Sequence, residues 1–146
     1  MTIIESLQTY IKTYSGLKTG RPVWVNFLGS EPTDYSIVPL QGTKILESYL
    51  NGTKIMKYSF ALETMESTAD DLTRLQNLGF YEAFSDWLDS QTKSKELPIL
   101  GEGQTAQKIE AVTGGCLMET STSETGRYQI ICDLEYRQEK MTEISE

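Results

Sequence analysis

Histidine is absent from the sequence, and cysteine occurs only twice in 146 residues. Without histidine, neither the Ser/His/Asp nor the Cys/His nucleophile arrangement can form, and zinc sites with histidine ligands are excluded as well. Two cysteines are also too few for a zinc site with four cysteine ligands. We therefore expect no catalytic residue, no metal site and no cofactor in this chain.

Positive charge and long apolar runs are also scarce. The sequence has 13 Lys and Arg against 21 Asp and Glu, a net charge of −8, and no basic cluster that would bind a phosphate backbone. No segment is apolar enough to span a bilayer, and no basic N-terminal region leads into an apolar one. Cys116 and Cys132 lie in apolar strand patterns that are typical of small buried hydrophobes. We expect a soluble protein of a reducing cytoplasm, with neither membrane nor specific nucleic-acid binding.

The most informative stretch is a β-hairpin centred on Asn51-Gly52. This dipeptide between apolar runs predicts a two-residue type I′ turn, because both central positions of that turn need a positive φ. Such a turn places Leu50 opposite Thr53 and Ile45 opposite Tyr58. Side-chain alternation then predicts a core-facing set on the ribbon: Ile45, Tyr49, Met56, Tyr58, Phe60 and Leu62.

The opposite face of the hairpin is more apolar than a solvated surface requires. Leu46, Leu50 and Ile55 lie there among lysines and serines. One interpretation is a subunit interface, since a monomer would tend to dilute such residues. The other is a helix of the same chain that covers this face.

Periodicity predicts the remaining elements. Apolar residues at helical spacing indicate an N-terminal helix over Thr2–Tyr14 and a second helical region that begins with Ser67 as N-cap and is interrupted at Gly79, giving a kinked helix or a helix pair. Leu72, Leu75 and Leu78 form the apolar stripe of its first half. Strands besides the hairpin are predicted at Val23–Leu28, Tyr35–Val38, Gln107–Val112, Cys116–Thr120 and Arg127–Tyr136.

These elements predict the α+β class, with a predominantly antiparallel sheet and both helical regions packed on one face. The length fits one domain over residues 1–136, followed by a charged tail over residues 137–146.

No motif in the sequence builds a credible active site. Asp70 and Asp71 are explained by the start of a helix, and Asp86 and Asp89 by a solvated helix face. The segment LGEGQTAQK lacks the spacing of a phosphate-binding loop, and ETSTSETG lacks the alternation of a calcium loop.

A resemblance to a known family rests on four stretches: YSIVPLQGTKILESYLNGTKIMKYSFAL, ESTADDLTRLQNLGFYEAFSDWL, LPILGEGQTAQKIEAVTGGCLME and ETGRYQIICDLEY. They resemble a family of small minor capsid or tail-completion proteins that phages and prophages of Gram-positive bacteria encode. The resemblance covers about residues 23–136. Its best marker is STADDL followed by LGFYEAFSDWL and the glycine-rich KIEAVTGG.

The resemblance implies a virion structural protein, close in kind to the tail terminators that form rings at the head-proximal end of a tail tube. Its expected partners are further copies of itself, often six, the tail-tube protein, and a head connector or sheath. Tube contacts would come from the sheet edge and from loops such as GSEPTDY and ETSTSETG. The expected location is the bacterial cytoplasm during assembly and then the virion or a phage-tail-like particle. No catalytic residues carry over from the family.

Two alternatives stay open at this point. One is a minor capsid or head-tail connector component, which belongs to the same class of virion proteins. The other is a small-molecule binding domain whose pocket is lined by Trp24, Tyr58, Phe84 and Trp87.

Overall fold

The computed structural model describes residues 2–17, 21–26, 35–120 and 125–140. These residues form two helices and six strands: α1 (Ile3–Ile11), β1 (Val23–Val25), β2 (Tyr35–Ser48), β3 (Lys54–Ser67), α2 (Asp71–Ser94), β4 (Gln104–Ala111), β5 (Cys116–Thr120) and β6 (Thr125–Gln138). The fold is α+β with a mostly antiparallel sheet, which confirms the predicted class.

The strands form one sheet in the order β1-β2-β3-β6-β4, and β5 pairs with the first part of β6 beyond the end of β4. β3 and β6 are the central strands, and they pair over their full length from Lys54 opposite Gln138 to Ser67 opposite Thr125. β4 and β5 therefore share one edge of the sheet, with a joint at residues 112–115 between them.

The alternating side chains of β6 form a large part of the core. Its even-numbered side chains are buried against the helices: Tyr128, Ile130, Cys132, Leu134 and Tyr136. Its odd-numbered side chains lie on the other face and are half-buried up to Glu135. The predicted strand at Arg127–Tyr136 is confirmed, and its strict alternation matches the period of a pleated strand with one buried face.

Both helices cover the same face of the sheet. α1 begins at a capping box in which the Thr2 hydroxyl accepts from the Glu5 N–H, and it buries Leu7 and Ile11. The two helices meet through aromatic rings, with the Tyr14 and Trp87 ring centroids 4.8 Å apart. These contacts close the core on the helical side.

α2 differs from the prediction in three respects. It is one continuous helix that includes Gly79, so the predicted alternative of a helix pair is wrong. Its N-cap is Asp70, whose carboxylate accepts from the Thr73 N–H at 2.8 Å, because Ser67 still belongs to β3. Its buried face consists of Asn77, Tyr81, Phe84 and Leu88, so the predicted stripe of Leu72, Leu75 and Leu78 points to solvent.

β2 also differs from the prediction. The segments on either side of Pro39 and Gly42 form one strand, with a register shift between Pro39 and Thr43 that absorbs the proline and glycine. Fewer strands therefore precede α2 than the sequence indicates. β1 pairs with β2 in parallel, Val23 opposite Tyr35, where the prediction had an antiparallel pattern.

Smaller corrections concern the edges of the sheet and its end. Trp24 is 44% exposed on the edge strand β1. Cys116 is exposed on β5, whereas Cys132 is buried as predicted, and both are free thiols. β6 continues to Gln138, two residues past the predicted end of the domain at Tyr136, and residues 141–146 lie outside the described part of the chain.

Candidate interaction surface

The hairpin between β2 and β3 closes with a three-residue loop. The Tyr49 N–H donates to the Thr53 carbonyl at 2.8 Å, and the Gly52 N–H donates back to the Tyr49 carbonyl at 3.0 Å. Gly52 has a φ of +91°, which suits a turn that ends in a residue with positive φ. This loop, in place of the predicted two-residue turn, shifts the pairing by one, so that Ser48 faces Lys54 and Glu47 faces Ile55.

The shift changes the environment of the three residues predicted as a subunit interface. Leu50 lies in the loop and is fully exposed. Leu46 lies in a register irregularity between Ile45 and Glu47 and is 41% exposed. Ile55 is only 9% exposed, between Glu47 on one side and Arg137 on the other, so its own chain covers it. Leu46 and Leu50 therefore remain available for contact with another protein, and Ile55 does not.

The first residues of the predicted core face are exposed as well. Ile45 and Tyr49 are each about half-exposed, whereas Phe60 and Leu62 of the same set are fully buried and Met56 and Tyr58 pack partly against the core. The reason is that β1 pairs with β2 only up to Ile37, which leaves the second half of β2 as a sheet edge among the described residues. We call this exposed end of the hairpin the hairpin tip and define it as Ile45, Leu46, Tyr49 and Leu50, with Ile45 opposite Met56 on the core side and Tyr49 beside Ile55 and Arg137 on the other side.

The charges around the hairpin tip are mainly positive. Lys44 and Lys54 are exposed on its flanks. Glu47, a carboxylate on the same strand, accepts a 2.5 Å hydrogen bond from the Tyr49 hydroxyl, and this bond raises the pKa of Tyr49. The hairpin tip is thus an apolar surface with a basic border in a chain whose net charge is −8.

A second exposed apolar surface lies on the first half of α2. Leu72 and Leu75 are 66% and 65% exposed, and Leu78 beside them is 39% exposed. We call these three residues the leucine stripe. Carboxylates border it, since Asp71, Glu82 and Asp86 are exposed on the same helix. The sequence indicated the stripe but assigned it to the core, because a helical period alone does not say which face meets the sheet.

The sheet face that no described helix covers carries a polar network. The Arg127 guanidinium and the Gln129 amide both donate to Glu63 Oε2, at 3.1 and 2.8 Å. Further along the sheet, the Ser59 hydroxyl donates to Asp133 at 2.6 Å, and Lys57 Nζ lies 3.8 Å from the same carboxylate. These groups satisfy one another across neighbouring strands, which is what a stable sheet surface requires.

Among the described residues, one concave region is an open groove, and another is lined by polar groups that already have partners. An open groove of about 580 Å³ lies beside Lys95, Pro98 and Ile99, between the end of α2 and the start of β4. A smaller cavity of about 420 Å³ lies at the start of α2 beside Tyr35, Glu66, Asn77 and Phe80. Its polar groups already have partners, since Glu66 pairs with Arg21 at 3.4 Å and the Asn77 amide donates to the Ser67 carbonyl.

The four aromatic residues of the small-molecule alternative do not share a cavity in the described part of the chain. Phe84 is fully buried in the core, and Trp87 fills space between Tyr14 and Phe84. Trp24 lies on the edge strand β1. Phe84 and Trp87 are therefore part of the helix-sheet core, to which the exposed Trp24 does not belong.

The remaining candidates for chemistry have structural roles. Asp70 caps α2, Asp71 pairs with Arg74, and Asp86 and Asp89 are exposed on the helix surface. Burial strongly raises the pKa of the Cys132 thiol, which disfavours the reactive thiolate. Within the described ranges, no three Asp, Glu or Cys side chains are grouped so that they could hold a metal ion.

Of the loops predicted to contact a tail tube, residues 29–34 of GSEPTDY and 121–124 of ETSTSETG lie outside the described residues, and the remaining residues of both segments belong to β2, β5 and β6. Among the helices that the structure describes, none is long and apolar enough to cross a membrane. Compared with known proteins, the chain matches no family model and shows no significant similarity to a curated protein.

Proposed function

We propose that this protein is a structural subunit of a phage or prophage tail, a terminator or tail-completion protein that forms a homo-oligomeric ring at the head-proximal end of the tail tube. Its action is geometric and not catalytic. Repeated contacts between subunits close the ring, and the ring stops further growth of the tube. The ring assembles in the bacterial cytoplasm and then becomes part of the virion or of a phage-tail-like particle.

The observation that carries this proposal is the exposed apolar hairpin tip. Leu46 and Leu50 are exposed beside Ile45 and Tyr49 on a strand edge. A soluble monomer gains nothing from apolar side chains on an open edge, and such edges invite pairing with other chains. The four stretches that resemble phage tail-completion proteins indicate the kind of particle in which this surface would make its contacts.

The edge of the sheet formed by β4 and β5 offers a second contact, which would bind the tail-tube protein. β4 and β5 pair only with β6 in the described chain, so their outer backbone groups are open to another strand. Exposed Leu117 and Met118 on β5 add apolar contacts to that edge. Strand addition at such an edge gives affinity through main-chain hydrogen bonds.

The net charge supports a ring with a DNA channel. A chain with a charge of −8 repels the phosphate backbone, so DNA could pass through the ring without binding to its wall. The same property suits the alternative within this class, a minor capsid or head-tail connector subunit. The position of the gene beside tail-tube or sheath genes, or beside capsid and portal genes, separates the two.

The direct test is tube termination. The purified chain is added to the polymerising tail-tube protein from the same phage or prophage, and tube length and tube ends are examined by negative-stain electron microscopy. We expect shorter tubes with a ring-shaped density at one end. Unchanged tube lengths, with no density at the ends, would contradict the proposal.

A further inference from the structure

The hairpin tip and the leucine stripe are complementary in chemistry. Each is an exposed apolar surface, formed by leucine with Ile45 and Tyr49 in the first and by leucine alone in the second. Their borders differ in charge, with exposed Lys44 and Lys54 around the tip and exposed Glu82 beside the stripe, where Asp71 is paired with Arg74. Apolar contact with an oppositely charged border is the arrangement that selects a partner and fixes its orientation.

The two surfaces lie at opposite ends of β3. The tip precedes Lys54, where the strand begins, and the stripe starts at Leu72, soon after the strand ends at Ser67. A strand of 14 residues spans about 45 Å. One chain therefore cannot bring its own tip to its own stripe, whereas two copies in head-to-tail orientation can.

We propose that the hairpin tip of one subunit docks on the leucine stripe of the next copy of this chain. In this contact Leu50 packs against Leu72 and Leu75, and the flanking lysines face the carboxylates of α2. A contact between two different surfaces of identical subunits is heterologous, and it gives a ring when the rotation between copies closes. This inference rests on the proposed ring, and it specifies the surfaces that build the ring.

Cysteine cross-linking tests the contact directly. In a Cys116→Ser background, which removes the exposed native thiol, a Leu50→Cys chain is mixed with a Leu75→Cys chain of different mass and mildly oxidised. We expect the mixed disulfide to exceed either homodisulfide. Predominant homodisulfides, or none at all in chains that still associate, would overturn the proposal.

A matched pair of charge insertions supplies the second test. Leu75→Glu places a carboxylate in the stripe, and Ile99→Glu places one at another solvent-exposed position outside both surfaces. We expect the first to lower the association constant by on the order of tenfold or more and the second to leave it unchanged. Equal association of both variants contradicts the docking.

Charge reversal adds a rescue experiment. Glu82→Lys alone should weaken association, and its combination with Lys44→Glu should restore part of it, because the two side chains face each other only in the proposed contact. Additive loss in the double variant would count against the docking. If these variants give the contrary results while the wild-type chain still forms rings, only the docking of the tip on the stripe is refuted. A wild-type chain that is monomeric both alone and with tail-tube protein refutes the ring itself.

Discussion

Gly115 lies just before β5, directly against the side chain of Tyr81. A Cβ atom at this position would approach the Cβ of Tyr81 to 2.3 Å, far inside van der Waals contact. Tyr81 cannot move away easily, because it is buried and its hydroxyl shares a 2.6 Å hydrogen bond with that of Thr64. The joint between β4 and β5 therefore depends on a residue without a side chain.

We expect Gly115→Ala to destabilise the fold by about 2 kcal/mol through overpacking against Tyr81. Denaturant unfolding measures the change. Gly114→Ala is the matched control, since a Cβ there meets no atom within 4 Å. If the two variants were equally stable, the close approach of Gly115 to α2 would be wrong.

Substitutions at Ile55 and at Leu50 should affect different properties, the first the stability of the fold and the second the association of subunits. Ile55 is buried within the chain, so Ile55→Ala should cost about 2 kcal/mol of unfolding free energy. Leu50 is fully exposed in the loop, and Leu50→Ala should leave the unfolding free energy unchanged while it weakens association. Denaturant unfolding and light scattering on both variants check this. Loss of stability in Leu50→Ala would contradict the description of the hairpin tip.

At the residue scale, the sequence predicts strongly alternating positions well and hairpin positions poorly. Tyr128 to Tyr136 follow the predicted alternation, because burial against two helices enforces a period of two. Ile55 lies on the face opposite the helices, as the alternation along β3 predicts, but it is buried there, and the three-residue loop changes its partner on β2 from Ser48 to Glu47. Asn-Gly is compatible with both loop lengths, and only the pairing of whole strands decides between them.

At the scale of the element, α2 begins at Asp70. Its carboxylate accepts from the Thr73 N–H, and this hydrogen bond lowers the pKa of Asp70 below 3.8. A carboxylate whose pKa is lowered by folding stabilises the fold above its ordinary pKa, and the contribution disappears as the pH falls through the lowered value.

We therefore expect Asp70→Ala to lower the melting temperature at neutral pH and to match the wild-type chain more closely in strong acid. Thermal unfolding followed by circular dichroism at several pH values measures both effects. Asp89→Ala, on the exposed surface of the same helix, serves as the control. A deficit of the Asp70 variant that stays constant down to strong acid would contradict a role for the ionised cap.

Element boundaries follow from the sequence only where local signals outweigh tertiary ones. α1 lies close to its predicted range because its capping box and apolar stripe agree. α2 is continuous at Gly79 because the core contacts of Tyr81 and Phe84 stabilise the following turns. The outward direction of the leucine stripe was not predictable, since both faces of this helix carry apolar residues.

At the scale of the whole molecule, buried phenols make the fold sensitive to alkali. Burial raises the pKa of Tyr10 to about 12, and it strongly raises that of Tyr81. In the unfolded chain a tyrosine loses its proton near pH 10, so the unfolded state binds fewer protons above that value. Stability is therefore complete below about pH 10 and falls as the pH rises toward 12.

Tyr10→Phe should reduce this alkaline loss of stability. The slope of the unfolding free energy against pH should change by the amount that corresponds to roughly one proton. Denaturant unfolding across this pH range gives the slope. Leu50→Ala is the control, since Leu50 is fully exposed and carries no titratable group. Identical slopes for the wild-type chain and Tyr10→Phe would contradict the burial of this phenol in the folded state.

The fold class and the helical cover were predictable because composition, alternation and helical spacing all agree with a single core. The candidate surface was predictable only in part. The excess of apolar residues near the hairpin was visible, but its exposed members depend on strand register and on where β1 ends. The leucine stripe can be recognised as an exposed surface only from the packing of α2 on the sheet.

The measurement closest to the central claim is the mass of the native chain in solution, by native mass spectrometry or light scattering. The account predicts a discrete multiple of the 16.5 kDa chain mass, alone or on addition of the tail-tube protein. It also predicts that Leu50→Ser shifts the mass toward a single chain with no loss of thermal stability. A single-chain mass under both conditions would contradict the account.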